Sequence, residues 1–310
     1  MKSYSTKQIR NVGMIGHGGE GKTTLAEAML FTSGAIGRMG SVDAGTATTD
    51  YDPEETKRQI SIGAALAPVE WNGHKINVID APGYFDFEGE VQSTLSVADA
   101  AIIVVGAVSG VTVGAEKAFK LCKDRDLPRA FAVNRMDTEN ANFEKVFEAL
   151  REQFGPSVVP LQLPIMKGDK FAGYVDIAAH EGVEFDPKQN KIVPIPENLE
   201  TEVDHYRSIL VETAAESSEE LMEKFFEGEE FSLEELTAGI RAGILTGSLT
   251  PVFCTAAAPQ LGVSRLMDSI VRFFPAPNEA AARAGVNPKD DSEVKRACSA
   301  DEPFSAQVFK

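Results

Sequence analysis

The sequence predicts an α/β fold in which a mostly parallel sheet is flanked by helices and carries an α+β insertion between its last two strands. Strand-like and helix-like patterns alternate from residue 9 to about residue 154, as expected for consecutive βα units. The pattern changes after Gly155-Pro156. It then resumes with a strand pattern at residues 250–255 and a helical pattern at 263–274, so the stretch between is predicted to be an insertion.

The first predicted elements are a buried strand, a helix and a hairpin. Residues 9–15 form a short apolar run, and residues 22–31 follow with apolar side chains at helical spacing. A strand pattern at 62–71 is separated from the next one by Asn72-Gly73, a dipeptide typical of two-residue β-hairpins. The hairpin predicts one antiparallel strand at an edge of the sheet.

The next elements predict the parallel part of the sheet. Two short apolar runs, at residues 100–105 and 129–134, each precede a helical pattern, at 114–125 and 140–154. Successive strand–helix–strand connections of this kind produce parallel strands with helices packed over them.

The insertion is predicted over residues 157–249, and it is the most acidic part of the chain. It holds 19 Asp and Glu against 7 Lys and Arg, a net charge of −12. A solvated helical face explains such a charge, and so does an acidic docking surface for a basic partner. The predicted elements in it are two strands and two helical stretches, at residues 158–163, 171–177, 199–227 and 232–243.

Length and composition exclude several classes of protein. The chain has 310 residues, and no apolar run approaches the roughly 20 residues of a membrane-spanning helix. A net charge of −17 argues against a protein that binds bare DNA. The three cysteines are scattered and lack CxxC spacing, which favours a reducing compartment such as the cytoplasm.

The clearest motif is a glycine-rich loop that follows a strand and opens a helix, the position of a triphosphate-binding loop. Glycines let main-chain N–H groups wrap around phosphate oxygens, and the helix N-terminus adds its dipole. Lys22 would neutralise the β- and γ-phosphates, and the Thr23 hydroxyl would bind Mg²⁺. The motif does not choose between ATP and GTP. The predicted loop consists of Gly16, His17, Gly18, Gly19, Glu20, Gly21, Lys22, Thr23 and Thr24.

A second motif, Asn134-Arg135-Met136-Asp137, ends a strand and predicts recognition of guanine. The Asp137 carboxylate can accept hydrogen bonds from N1–H and the exocyclic amine of guanine, which adenine does not offer together. Asn134 can bond N7 and O6, and the Arg135 side chain can lie over the base. A site built in this way rejects adenine because its own polar groups would be left unpaired. The alternative is an ordinary loop at the end of a strand.

A third motif, Asp80-Ala81-Pro82-Gly83, predicts the metal and γ-phosphate contacts. Asp80 would hold Mg²⁺ through water, and the Gly83 N–H would bond the γ-phosphate, so that the following segment responds to the nucleotide. Ser61 lies between this motif and the glycine-rich loop and is a candidate for a second hydroxyl on Mg²⁺. An ordinary serine at the start of a strand is the alternative for Ser61.

In their order and flanking sequences, these motifs resemble bacterial elongation factor G, a translational GTPase, over nearly the whole chain. Flanking stretches that carry the resemblance include residues 86–91, 140–143, 161–165, 214–224 and 301–306. The resemblance implies a P-loop GTPase fold over residues 1–283 and a linker at 284–301. It also implies that residues 302–310 begin a β-barrel domain.

The chain departs from the family pattern at three places. Tyr84 stands where the family has a histidine that orients the attacking water, and tyrosine does not readily act as a base. Gly19 replaces an aspartate of the phosphate loop. Ala256-Ala257 replaces a Ser-Ala pair that supports the base, although the Ala257 N–H can still reach guanine O6.

The resemblance implies a cytoplasmic, monomeric GTPase that uses GTP/GDP and Mg²⁺ and is stimulated by the ribosome during translocation of tRNA and mRNA. Catalysis would fall to Lys22, Gly83 and Tyr84. The expected partners are ribosomal RNA at the factor-binding site and, through the acidic insertion, the ribosomal stalk protein. Two alternatives stay open: a GTP-gated ribosome-binding module with little hydrolysis, and a ribosomal-protection or release-type GTPase of the same superfamily.

Overall fold

A central sheet organises this computed structural model, which describes residues 2–186, 189–280 and 282–310. Four residues of the expected GTP-binding domain and its insertion lie outside the described residues: Met1, Pro187, Lys188 and Ala281. Within those residues the central sheet has seven strands. They are β1 (Ile9–Gly16), β2 (Ala65–Trp71), β3 (His74–Asp80), β4 (Ala100–Gly106), β5 (Arg129–Asn134), β6 (Val158–Pro160) and β11 (Thr250–Cys254).

The spatial order of the strands is β2-β3-β1-β4-β5-β11-β6. The sheet is parallel except for the edge strand β2, which pairs antiparallel with β3. Asn72 and Gly73 connect these two strands with φ angles of 44° and 74°, the left-handed conformations that such a tight turn needs. The predicted fold class and hairpin are therefore confirmed.

Helices cover the sheet and bury its central strands completely. Every residue of β4 and β5 is buried, as expected for parallel strands covered on both faces. The helices of this part are α1 (Lys22–Thr32), α2 (Pro53–Arg58), α3 (Glu88–Val97), α4 (Val113–Lys123), α5 (Phe143–Phe154) and α9 (Val263–Phe273).

Two elements begin three residues later than the sequence predicts, because side chains bind the main-chain N–H groups before them. Helix α5 begins at Phe143 rather than at 140, since the Asn142 side chain accepts from the Lys145 N–H at 2.9 Å and caps the helix. Strand β2 begins at Ala65 rather than at 62. The buried Glu55 carboxylate accepts from the N–H groups of Ile62 and Gly63 at 2.9 and 3.0 Å and keeps them out of the sheet.

The described residues of the insertion form a second sheet and three helices. Its antiparallel strands are β7 (Gln162–Lys167), β8 (Lys170–Asp176), β9 (Glu181–Glu184) and β10 (Lys191–Val193). Its helices are α6 (Glu197–Ala215), α7 (Glu219–Phe226) and α8 (Leu233–Thr246). The boundary at 157 needs correction, because β6 pairs in parallel with β11 and so belongs to the central sheet. The predicted strand at 158–163 is accordingly two strands in two different sheets.

The C-terminal stretch also differs from the expectation. The expected linker at 284–301 contains most of a two-stranded hairpin, β12 (Arg283–Val286) and β13 (Glu293–Arg296). Residues 302–310, which the resemblance makes the beginning of a β-barrel domain, have no regular secondary structure. Across the described part of the chain, no helix is both long and apolar enough to cross a membrane.

Candidate nucleotide site

The glycine-rich loop joins β1 to α1 at the carboxyl edge of the sheet. Gly16, Gly19 and Gly21 have φ angles of 134°, 84° and 86°, which side-chain-bearing residues rarely adopt. Space is limiting as well: a methyl group at Gly21 would lie 2.6 Å from Asn134 Nδ2, and one at Gly16 would lie 2.5 Å from the Val104 carbonyl oxygen. The loop is therefore fixed in shape by glycine at these positions.

Lys22 places a buried ammonium group at the start of α1. Lys22 is only 6% exposed, and its Nζ donates a hydrogen bond to the His17 carbonyl oxygen at 2.7 Å. Among the described residues, no carboxylate lies within ion-pair distance of it. Burial lowers the pKa of Lys22 to about 8. A buried cation with one neutral acceptor is stabilised by an anion, so the geometry suits a phosphate group.

Next to Lys22, hydroxyl and carboxylate oxygens form a small cluster. Thr23 Oγ1 and Ser61 Oγ lie 2.9 Å apart, and the Ser61 hydroxyl donates to Asp50 Oδ1 at 2.7 Å. Asp80 is 1% exposed, and its Oδ2 accepts from the Thr49 hydroxyl at 3.0 Å. Burial raises the pKa of Asp80 to about 6 and also raises the pKa of Asp50.

This cluster passes a simple test for Mg²⁺. Asp80 Oδ1 and Asp50 Oδ2 are buried and have no hydrogen-bond partner among the described residues, which is costly unless a ligand satisfies them. Hard oxygen donors of this kind, completed by water and phosphate, are the ligands that Mg²⁺ prefers. The residues present therefore fit the ion, with Thr23 and Ser61 as hydroxyl donors and Asp80 as the carboxylate beside them.

Asn134 links two loops of the site. The residue is 1% exposed, and its Nδ2 donates to the Glu20 carbonyl oxygen of the glycine-rich loop at 3.1 Å. Its Oδ1 accepts from the Thr255 hydroxyl at 3.2 Å and from the Ala257 N–H at 3.1 Å. Asn134 thus joins the loop that suits phosphate to the loop that follows β11.

One cavity of about 640 Å³ brings most of the predicted site residues together. Arg135 and Asp137 are exposed on the turn after β5 and line this cavity beside Asn134. The other predicted residues that line it are Gly18, Gly19, Gly21, Lys22, Thr23, Thr24, Ser61, Gly83, Tyr84 and Ala257. Most of the predicted phosphate, metal, catalytic and base residues therefore share one space.

Five predicted residues do not line the cavity. Gly16 lies behind it against β4, and Asp80 is buried in the oxygen cluster. The Glu20 carboxylate turns away and accepts from the Ser109 hydroxyl at 2.7 Å. His17 packs against Phe85 with ring centroids 5.8 Å apart. Ala256 pairs through its main chain with Leu261.

Thr49 and Asp50 complete the oxygen cluster, although no sequence motif predicted them there. They lie in the segment before Ser61, but an exposed-looking Thr-Asp pair between loops carries no signal of burial. The cavity is also lined by residues outside the predicted site, namely Met39, Gly40, Ser41, Val42, Asp43, Gln59, Ile60, Thr138, Ala258 and Gln260.

Comparisons with known proteins show the family of the chain. The family model described as the elongation factor Tu GTP binding domain matches residues 7–276. Elongation factor G of Salinibacter ruber (strain DSM 13855 / M31) is 38% identical to the chain over 315 aligned positions, which cover 100% of the chain and 45% of that protein. A crystal structure of a protein from Thermus thermophilus matches with a TM-score of 0.83 and 33% identity. That match covers 93% of this chain and 45% of the other. The chain thus spans less than half the length of these two relatives.

Proposed function

The chain belongs to the family of the elongation factor Tu GTP-binding domain, as an elongation factor G-like translational GTPase, and we propose that it hydrolyses GTP on the ribosome. The observation that carries this proposal is the shared cavity. Lys22, Thr23 and Ser61 line it together with Asn134 and Asp137. A guanine nucleotide with Mg²⁺ has charges and hydrogen-bonding groups that complement both sets of side chains.

In the proposed complex, Lys22 and the glycine-rich loop hold the phosphates, and Thr23, Ser61 and Asp80 hold Mg²⁺. The ion supplies charge neutralisation between the phosphates when it is bound. Asp137 pairs with the guanine base, and Arg135 lies over it. Gly83 packs against the glycine-rich loop, since a methyl group there would lie 2.6 Å from the Gly18 nitrogen. This closeness supports the Gly83 N–H as a γ-phosphate contact.

Tyr84 is the group proposed to position the attacking water. It follows Gly83 directly, is 44% exposed and lines the cavity. A phenol can orient a water by hydrogen bonding but is a poor base near neutral pH. We therefore expect slow intrinsic turnover, with the ribosome supplying the remaining stabilisation, and a role in translocation of tRNA and mRNA as in elongation factor G.

Further proposals follow from the same family. The acidic insertion is a candidate surface for the ribosomal stalk protein, and the factor-binding site of ribosomal RNA is the other expected partner. The chain is proposed to act as a monomer in the cytoplasm. A second function, a GTP-gated ribosome-binding module with negligible hydrolysis, is favoured by one observation, the tyrosine at position 84 in place of histidine.

Phosphate release separates the two functions. The product of the whole reading frame and its Tyr84→His variant are compared with GTP, with and without ribosomes. Strong ribosome-dependent release by the natural protein supports the GTPase and excludes the binding module. Release that appears only in the Tyr84→His variant, with ribosome binding still dependent on GTP, supports the binding module instead.

A further inference from the structure

Gly18 differs from the other glycines of the phosphate loop. Gly16, Gly19 and Gly21 have positive φ angles, whereas the φ of Gly18 lies outside that range. An ordinary residue can adopt the main-chain conformation of Gly18, so backbone strain does not explain the glycine. Something else must account for the absence of a side chain at this position.

The explanation lies in the ring of Tyr84. A methyl group at Gly18 would lie 3.0 Å from Cζ, 3.1 Å from Cε2 and 3.3 Å from Cδ2 of Tyr84. Carbon atoms in good contact are about 3.5–4.0 Å apart, so the ring rests directly on the main chain of the loop. Apart from the residues adjoining Gly18 in the chain, these three ring atoms are the nearest described neighbours of the added methyl group.

The main chain before Tyr84 is fixed on the same surface. A methyl group at Gly83 would lie 2.2 Å from Lys22 Nζ and 2.7 Å from the His17 carbonyl carbon. The Gly83 peptide is therefore packed on the phosphate loop, and its closeness limits the directions in which the next side chain can leave. Because Gly18 has no side chain, the aromatic ring of Tyr84 can pack directly on its main chain.

From these contacts we infer that Gly18 is a positioning residue for Tyr84: its missing side chain holds the phenol ring at the phosphate end of the cavity. The inference deepens the proposed function, because it explains how tyrosine is accommodated at the position proposed to orient water. A side chain at position 18 would collide with the Tyr84 ring, so the ring keeps its place only when residue 18 is glycine.

The ring position can be measured without any activity. The chain has five tyrosines, so labelling with 3-fluorotyrosine gives five ¹⁹F signals, and the signal lost in Tyr84→Phe belongs to Tyr84. Gly18→Ala requires the ring to move by a few tenths of an ångström, and Gly18→Val fills its place. We expect the Tyr84 signal to shift in Gly18→Ala and to shift further in Gly18→Val, while the other four stay unchanged.

Gly37→Ala is the matched control. Gly37 is exposed, also lacks a positive φ, and has no described atom within 4 Å of an added methyl group. This control should leave all five signals in place. A Tyr84 signal that is the same in Gly18→Val as in Gly37→Ala would overturn the inference, because the ring would then not rest on Gly18.

Kinetics with ribosomes on the product of the whole reading frame give the second readout. Gly18→Val should lower kcat for GTP at least tenfold, since displacement of a positioned group by about 1 Å can reduce a rate by up to about a hundredfold. The same substitution in a Tyr84→Ala background should change kcat less than twofold. An equal loss in both backgrounds would mean that Gly18 acts on the phosphates directly, and would refute the pairing.

A rescue completes the test. Imidazole is smaller than phenol and has no atom at the position of Cζ, so Gly18→Ala should shift kcat less when Tyr84 is replaced by histidine. If no variant releases phosphate with ribosomes, the proposed hydrolysis fails, but the fluorine spectra still decide whether Gly18 seats Tyr84. The two failures are therefore distinguishable.

Discussion

Replacement of Asn134 by alanine tests whether this residue holds the site together before any nucleotide binds. Its side chain makes three close hydrogen bonds of 3.1–3.2 Å, to the Glu20 carbonyl oxygen, the Thr255 hydroxyl and the Ala257 N–H. A residue that served only to read the base would leave the ligand-free protein unchanged on truncation. A residue that links two loops should destabilise it.

The expected magnitude follows from those three bonds. A buried hydrogen bond contributes about 1 kcal/mol net, and a partner left unsatisfied costs about 1–3 kcal/mol. Asn134 is 1% exposed, so water does not readily replace its amide. We expect Asn134→Ala to lower the free energy of unfolding by about 3 kcal/mol. For a chain of 310 residues, with an unfolding entropy of about 2.1 cal/mol/K per residue, that corresponds to a fall of about 5 °C in Tm.

Thermal unfolding of the nucleotide-free chain, followed by tryptophan fluorescence, measures this loss. Trp71 is the chain's single tryptophan, and its Nε1 donates to Asp268 Oδ1 at 2.7 Å, so it reports on the joining of β2 to α9. Asp137→Asn is the control, since Asp137 is exposed on the same turn and the change should stay within about 0.5 kcal/mol. Equal Tm values for the two variants would refute the linking role of Asn134.

Three further predictions concern the base, the loop and the metal. Asp137→Asn should shift nucleotide preference from GTP towards XTP in competition binding, and unchanged GTP affinity would contradict the base assignment. Gly21→Ala should destabilise the chain to urea by at least about 1 kcal/mol more than Gly34→Ala. Both positions have positive φ, 86° and 77°, but the methyl group at Gly21 would lie 2.6 Å from Asn134 Nδ2, whereas at Gly34 no described atom lies within 4 Å of it. Equal losses would refute the steric argument. Burial raises the pKa of Asp80 to about 6, above its unfolded value, so stability from this group is lost as pH rises through about 6. Mg²⁺ binds the ionised form of Asp80, so binding of Mg²⁺ and GDP at pH 6 should release about half a proton from this carboxyl group. Calorimetry in two buffers of different ionisation enthalpy measures the number of protons released. Identical binding heats in the two buffers would contradict this prediction.

Local patterns with strong physical constraints were predictable from the sequence. Asn72-Gly73 specified the hairpin because few dipeptides accept two left-handed residues, and the turn has those angles. The continuous apolar run of β4 likewise indicated a strand covered on both faces, and all its residues are buried. In both cases the residues of one short segment are sufficient to determine its local structure.

Features that depend on distant partners were not predictable. The assignment of β6 to the central sheet rests on its pairing with β11, about 90 residues later in the chain. Asp50 gains its place in the oxygen cluster only when Ser61 donates to it and burial removes it from water. No periodicity or motif near Asp50 contains that information, because its partners are brought in by the folding of other segments.

The departure at Ala256-Ala257 changes how the guanine O6 atom can be recognised. The Ala257 N–H, the group left to reach O6, already donates to Asn134 Oδ1 at 3.1 Å, and that oxygen also receives the Thr255 hydroxyl. Asn134 Nδ2 is directed at the glycine-rich loop, 3.1 Å from the Glu20 carbonyl oxygen and 3.5 Å from that of Gly21. Recognition of O6 by Ala257 must therefore share or replace a bond that supports the site. In the proposed complex, base binding and the link between the two loops are therefore coupled through Asn134, and a gain in one is expected to weaken the other.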